Sequence, residues 1–186
     1  EHEQLGFEFG TFTDRFAKLE EALKIVLPML AGDRVSFAGD FYRTSEAVAE
    51  PRYRDHIPLM IGGSGEKKTF GLAARYFDHL NVIAAFEELP GKVDALKRRC
   101  DEAERDPATL ETSVLLTVVP DPAFSDDLVP PAMRGRMAVG SPDRIAETIR
   151  ANVVDVGIDG VVVNLPAYRP GSIAAIGEAL RPVVGA

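Results

Sequence analysis

Residues 58–69 read Pro-Leu-Met-Ile-Gly-Gly-Ser-Gly-Glu-Lys-Lys-Thr, and the change from apolar residues to glycines within them is the clearest structural signal in the chain. The apolar run at 59–61 is typical of a short strand that is covered on both faces. The glycines that follow can adopt backbone angles that other residues avoid, and they let a ligand approach the main chain closely. A helix that begins after such a turn presents unpaired backbone N–H groups. The stretch therefore predicts a strand, a glycine-rich turn and the start of a helix.

The turn is a candidate anion site, because free N–H groups at the start of a helix bind phosphate. Two lysines in the first turn, at 67 and 68, each oppose the helix dipole by roughly 0.3–1 kcal/mol, and a bound anion would reverse that cost. The spacing fits neither the Walker A loop nor the dinucleotide-binding fingerprint. The alternative interpretation is a tight turn with two solvated lysines. The candidate anion-binding residues are Gly62, Gly63, Ser64, Gly65 and Lys67.

Apolar runs and helical periodicities alternate along the chain after this stretch. Such alternation predicts parallel strands that lie side by side in chain order, joined by right-handed helical crossovers. The segment 120–137 contains four prolines and is predicted to be a loop. Strands are predicted near 58–62, 79–83, 113–119 and 160–164, and helices over about 66–76, 87–104, 140–156 and 172–184. The helix over 140–156 is predicted to start with Ser141 as its N-cap and Pro142 at its first helical position.

The residues before the glycine turn predict a different kind of structure. A helical apolar spacing spans 14–31, with Thr13 as N-cap and Gly32 as the C-terminal stop. Pro28 should bend or shorten its last turn. A small β-hairpin follows at 35–42, and residues 43–57 are predicted to be irregular.

Composition bounds the class of protein. The 186 residues are 46% hydrophobic and 27% charged, which predicts a single globular domain over 1–186. A net charge of -8 with no basic run argues against a nucleic-acid partner. No apolar run is long enough to span a membrane, so no membrane partner is expected. No residue spacing resembles a metal site. One cysteine, Cys100, fits a reducing cytoplasm. The first residue is Glu1, which predicts a truncated or processed chain.

Five motifs of the chain resemble one family. They are Glu1-His2 with Gly6, Arg15-Phe16-x-x-Leu19-Glu20-Glu21-Ala22-Leu23, Phe37-x-Gly39-x-Phe41-Tyr42, the stretch 58–69 continued to Asn81, and Gly140-Ser141-Pro142 with Gly157-Ile158-Asp159-Gly160. Together they resemble the C-terminal half of a luciferase-like flavin or deazaflavin oxidoreductase. The resemblance implies an α/β fold of the TIM-barrel type, namely about four βα units of a (β/α)8 barrel, with a small β-hairpin insertion. The N-terminal half of the barrel is then absent from this chain.

The resemblance also implies a function. It implies hydride transfer between the deazaflavin coenzyme F420 and a small organic substrate, with the cofactor phosphate near the glycine turn. His2 and Asn81 are the candidate substrate-binding residues, a homodimer is a further expectation, and no catalytic residue is identified. The alternatives are an FMN-dependent monooxygenase of the same family, or a non-catalytic half-barrel fragment that binds a phosphate or a partner. The isolated fragment is expected to be inactive.

Half a barrel would also leave its inner face uncovered. The runs 59–61 and 161–163 are apolar, so we expect a large exposed apolar patch along the concave side of the sheet.

Overall fold

The computed structural model describes residues 1–121, 124, 129, 131–166 and 170–184. Contacts within the chain divide it into two compact units, residues 1–58 and 59–186. Each unit is described by itself. The assignment of the whole chain to one domain stays a prediction.

The first unit consists of one long helix and a two-stranded hairpin. A short 3₁₀ turn over Glu3–Leu5 precedes helix α1 (Phe12–Ala31). The N-cap of α1 is Thr11, whose hydroxyl accepts from Asp14 N at 3.1 Å, while the Asp14 carboxylate accepts from Thr11 N at 3.3 Å. The predicted cap at Thr13 is therefore wrong, because the Thr-x-x-Asp spacing forms a reciprocal capping box.

The end of α1 follows the prediction in one respect and departs from it in another. Gly32 adopts the left-handed conformation with φ +99° and ends the helix, as predicted. Pro28 does not shorten the helix, which continues to Ala31. Its own carbonyl accepts from Asp33 N at 2.9 Å, so the last turn is closed by C-terminal bonds beyond the proline.

The hairpin consists of β1 (Val35–Ala38) and β2 (Arg43–Ala47), which pair antiparallel. The predicted hairpin is confirmed, but β2 extends it to Ala47, so part of the segment 43–57 is a strand. Glu21 of α1 holds the hairpin turn. Its carboxylate oxygens accept from the backbone N–H groups of Asp40, Phe41 and Tyr42 at 2.8, 3.0 and 3.0 Å.

The second unit repeats a strand and a helix along the chain. Its elements are β3 (Met60–Gly63), α2 (Lys68–Tyr76), β4 (His79–Val82), α3 (Leu89–Glu102), β5 (Glu111–Val119), α4 (Pro131–Arg134), β6 (Met137–Val139), α5 (Pro142–Ile149) with a π-helical extension over Arg150–Val154, β7 (Gly160–Asn164) and α6 (Ser172–Val184).

The sheet of this unit is parallel throughout. Strands β3, β4, β5 and β7 lie side by side in chain order, which confirms the prediction. Two elements contradict the predicted loop over 120–137. Helix α4 (Pro131–Arg134) lies within it, and the fifth strand, β6, begins at its last residue, Met137. Most of 122–130 lies outside the described residues. Thr117 of β5 pairs with both Met137 and Asn164. Because a strand residue has one neighbour on each side, β6 lies on the β4 side of β5, beyond the end of β4.

One face of the sheet carries the core. Side chains that alternate along the strands pack beneath the helices, with Leu80, Val114, Leu116 and Val118 fully buried against Phe70 of α2 and Ile145 of α5. Ile61, Val161 and Val163 pack against the same cluster. Two of the three apolar side chains in the run 161–163 therefore face the helices.

The opposite face, here called the open face, carries both polar and apolar side chains. Its side chains are those that alternate with the core residues, and along β4 and β5 they include His79, Asn81, Ser113 and Thr117. The apolar residues Met60 and Val162 are 56% and 40% exposed there. The large exposed apolar patch that we expected on this face stays a prediction.

In the part of the chain that the structure describes, no helix has both the length and the apolar character needed to cross a membrane.

Candidate functional site

The glycine turn lies between the end of β3 and the start of α2. Gly63, the last residue of β3, has φ +151°, a conformation that favours glycine. Helix α2 starts from Lys67 at the N-cap position, where no side chain caps the helix. Among the described residues, none accepts a hydrogen bond from the backbone N–H groups of 64–67. The turn therefore presents unpaired donors where the helix dipole is positive.

Thr69, in the first turn of α2, explains why the glycine turn needs glycine. Its side chain is buried beneath the turn, with 7% of the residue exposed. A Cβ at Gly63 would lie 3.1 Å from Thr69 Cγ2, and a Cβ at Gly65 would lie 3.0 Å from Thr69 Oγ1. Both distances are tighter than ordinary contacts, so the main chain follows a path that larger residues would disturb.

Lys92 of α3 holds the turn from outside. Its ammonium donates to Ser64 O at 3.2 Å and to Glu66 Oε1 at 2.9 Å, and its side chain is only 15% exposed. The hydrogen bond and the charge of Lys92 hold the pKa of the Glu66 carboxyl below its usual value. Sequence reasoning missed Lys92, because a separation of 26 residues from Glu66 leaves no local pattern.

The electrostatics around the turn favour an anion. The Glu66 carboxylate is neutralised by Lys92, and Lys67 is exposed beside the free N–H groups. A phosphate there would receive backbone N–H donors and a nearby ammonium. The five predicted anion-binding residues therefore lie together in one turn.

A polar cluster lies beside the turn on the open face. Asn81 Nδ2 donates to Ser113 Oγ at 2.8 Å, and His79 Nε2 lies 2.7 Å from the same oxygen. His79 Nδ1 lies 3.8 Å from Glu111 Oε2. Gly62 pairs with Asn81 in register, so the predicted residue Asn81 is next to the glycine turn. His79 and Ser113 were missed as partners, since only the parallel register brings β4 and β5 together.

His2, the other predicted substrate residue, belongs to the first unit. It precedes the 3₁₀ turn, and its ring lies 4.8 Å from the ring of Phe9. No group of three His, Cys, Asp or Glu side chains within the described ranges is arranged to hold a metal ion.

A second basic feature is a cavity of about 440 Å³ at the start of α5. Arg134 and Arg144 line it, and Arg134 Nε donates to Val129 O at 3.1 Å. This start differs from that of α2, because Ser141 caps α5 by accepting from Arg144 N at 3.4 Å. The predicted Ser-Pro helix start is confirmed here, and Arg144 serves below as a control.

Known proteins match both the sequence and the fold. The profile of a family described as luciferase-like monooxygenase matches residues 1–125. An F420-dependent glucose-6-phosphate dehydrogenase of Nakamurella multipartita is 38% identical over 74 residues, which cover 40% of this chain and 22% of the relative.

Two solved structures superpose on nearly the whole chain. An F420-dependent secondary alcohol dehydrogenase in complex with an F420–acetone adduct gives a TM-score of 0.80 at 20% identity, over 96% of this chain and 64% of that one. A riboflavin lyase with modified FMN and its substrate riboflavin gives a TM-score of 0.77 at 12% identity, over 98% of this chain and 60% of that one. These likenesses confirm the predicted barrel-type fold. The chain spans less than two thirds of the length of each of these proteins.

Proposed function

The chain belongs to the luciferase-like monooxygenase family, and on that premise we propose that its protein is an oxidoreductase that transfers a hydride between coenzyme F420 and a small organic substrate. The named relatives support the deazaflavin branch, since a curated dehydrogenase and a solved alcohol dehydrogenase are both described as F420-dependent. The predicted family resemblance is confirmed. The substrate and the activity of the whole protein belong to the proposal.

The observation that carries the proposal is the glycine turn. Backbone N–H groups of 64–67 without acceptors in the described chain, an uncapped α2 and the exposed Lys67 fit a cofactor phosphate. Gly62 and Gly63 allow the cofactor to approach the main chain. Lys92 donates hydrogen bonds to the Ser64 carbonyl and to the Glu66 carboxylate, and so holds the turn in place. The deazaflavin ring supplies the hydride chemistry, while the protein binds and orients it.

Asn81 is proposed to contact the ring or the substrate. It is 93% buried yet lies on the open face, beside Gly62. His2 stays a proposal for substrate binding on the family resemblance alone. We further propose a cytoplasmic homodimer with neither a nucleic-acid nor a membrane partner.

A second candidate is an FMN-dependent monooxygenase of the same family. The riboflavin lyase structure, which contains modified FMN, supports it through the shared fold. The anion-binding turn suits the phosphate of either cofactor. The two functions differ in oxygen consumption, because a monooxygenase consumes oxygen and an F420-dependent dehydrogenase does not.

A third candidate is a non-catalytic fragment. The chain spans 64% of the solved alcohol dehydrogenase, so residues from another part of a barrel are proposed to complete the site. We expect the 186-residue form to bind phosphate without turnover.

The test is cofactor titration. The protein of the complete reading frame and the 186-residue form are titrated with F420 and with FMN, followed by cofactor fluorescence. Tighter binding of F420 supports the proposal, and tighter binding of FMN with oxygen uptake supports the second candidate. Gly71→Ala and Arg144→Gln are matched controls. A Cβ at Gly71 meets no atom within 4 Å, and Arg144 lines the other basic cavity. If Arg144→Gln abolishes binding, the phosphate is not at the glycine turn.

A further inference from the structure

A row of four residues crosses the open face at one level of the sheet. Gly62, Asn81, Ser113 and Gly160 pair with their neighbours in register across β3, β4, β5 and β7. The proposed function uses Asn81 from this row. His79 and Ser113, which hold the Asn81 side chain, have no role in it so far.

The amide of Asn81 has one end fixed and one end open. Its Nδ2 donates to Ser113 Oγ at 2.8 Å. Every buried side-chain nitrogen or oxygen in the described ranges has a hydrogen-bond partner. Asn81 Oδ1 accepts no hydrogen bond from these residues, so it is not a buried atom. It therefore meets solvent at the open face. An unpaired amide oxygen beside a polar cluster is an acceptor for a ligand.

Ser113 and His79 hold one end of this amide. Ser113 is 3% exposed, and its hydroxyl has one proton to donate. Ser113 Oγ accepts from Asn81 Nδ2 at 2.8 Å and lies 2.7 Å from His79 Nε2, so the hydroxyl is held from both β4 residues. His79 Nδ1 in turn lies 3.8 Å from Glu111 Oε2.

The two glycines leave open space on either side of the polar pair. A Cβ at Gly160 would meet no atom within 4 Å, and a Cβ at Gly62 would meet only Asn81 O at 3.9 Å. Neither glycine is needed for a left-handed turn. A flat ligand can therefore lie against the sheet at this level.

We infer that Ser113, supported by His79, is a positioning residue that presents Asn81 Oδ1 to the imide N–H of a planar ring lying over Gly62 and Gly160. The pyrimidinedione ring of a deazaflavin carries such an N–H. The inference rests on the proposed function and deepens it, because it names the edge of the cofactor ring that the protein reads.

The experiment compares two small probes, 5-deazariboflavin and its N3-methyl derivative, which lacks the imide N–H. They are titrated into the protein of the complete reading frame, with F420 titrated in parallel. We expect the wild type to bind 5-deazariboflavin about tenfold more tightly than the methylated probe, because methylation leaves the acceptor unpaired. Ser113→Ala should reduce this ratio to about twofold or less. Ser113→Thr, which keeps the hydroxyl, should restore it.

Steric exclusion of the methyl group gives a different result. It would leave the ratio unchanged in Ser113→Ala, and that outcome overturns the inference. Equal binding of the two probes by the wild type also overturns it, while F420 binding would leave the proposed function standing. If neither probe nor F420 binds, both fail. Should Ser113→Ala not fold, as judged by thermal melting, Asn81→Leu removes the acceptor directly and must abolish the preference.

Discussion

The starts of α2 and α5 show two ways to treat the free N–H groups of a helix. Helix α5 uses its own sequence: Ser141 accepts from Arg144 N, and Pro142 at the first helical position has no N–H to satisfy. Helix α2 has no side-chain cap, follows a glycine turn and keeps N–H groups of 64–67 without acceptors among the described residues. A helix start without a cap is a candidate anion site, whereas a capped start has its own donor already satisfied.

The same contrast appears in how each start is held in place. Ser141 lies three residues from its partner Arg144. The α2 turn instead depends on Lys92 of α3, which binds Ser64 O and Glu66. Because the support comes from outside the turn, its own backbone donors are left for a ligand. Four predictions follow from this difference.

The largest effect is expected from Gly63→Val. A β-branched residue at φ +151° is strained by about 1–3 kcal/mol, and its Cβ would lie 3.1 Å from Thr69 Cγ2. We expect both a loss of stability of that order and more than tenfold weaker cofactor binding, measured by thermal melting and by titration. The loss of binding is expected from the glycine turn in the sequence, and the loss of stability is expected from the backbone angle and the Thr69 contact in the structure. Gly71→Ala, in the same helix, should leave binding unchanged; equal affinity of Gly63→Val and wild type would contradict an anion site here.

The next effect concerns the capped helix. Ser141→Ala should destabilise the protein by about 0.5–1 kcal/mol, the low end of the usual range, because the cap bond is long at 3.4 Å. Chemical denaturation measures this difference, and Ser141→Asp, which keeps an acceptor, should recover most of it. Cofactor affinity should not change. A loss of affinity in Ser141→Ala would mean that the start of α5 also belongs to the ligand site.

These two helices also show what sequence can predict. Ser141 was found from sequence, because a cap and the backbone N–H that it binds lie within one turn. The wrong N-cap predicted for α1 has a local cause as well. Thr11 and Thr13 are both possible caps, and the hydrogen bonds with Asp14 make Thr11 the N-cap. The glycine turn was predicted as a unit for the same reason.

Interactions between distant strands were not predictable in this way. Ser113 lies 32 residues from Asn81 and joins it only through the parallel register. Strand β6 has three residues and pairs with the last residues of β5, so it shows no periodicity of its own. The run 161–163 reads as uniformly apolar in the sequence, although strand alternation divides its side chains between the two faces of the sheet.

A smaller effect, with opposite signs in two measurements, is expected from Lys67→Glu. A negative charge at the start of α2 interacts favourably with the helix dipole by about 0.3–1 kcal/mol, so stability should rise slightly. The same charge repels a bound phosphate, so we expect about three- to tenfold weaker cofactor binding, with a difference that shrinks as salt is added. Isothermal titration at two salt concentrations tests this. Unchanged affinity would place the phosphate away from Lys67.

The smallest effect is a pH dependence of the α2 turn. The hydrogen bond and charge of Lys92 lower the pKa of Glu66, so the folded state binds its proton less readily than the unfolded chain does. This contribution to stability is fully present above about pH 4.3, the ordinary pKa of glutamate, and is lost as the pH falls through the lowered value. The melting temperature of Glu66→Gln should therefore lie slightly below that of the wild type at pH 6, and the two should converge towards pH 3. Glu147→Gln on α5 is the matched control, since no ion pair is found for its carboxylate among the described residues. It should show no such convergence. If Glu66→Gln and the wild type differ by the same amount at both pH values, the Lys92–Glu66 pair does not hold the turn.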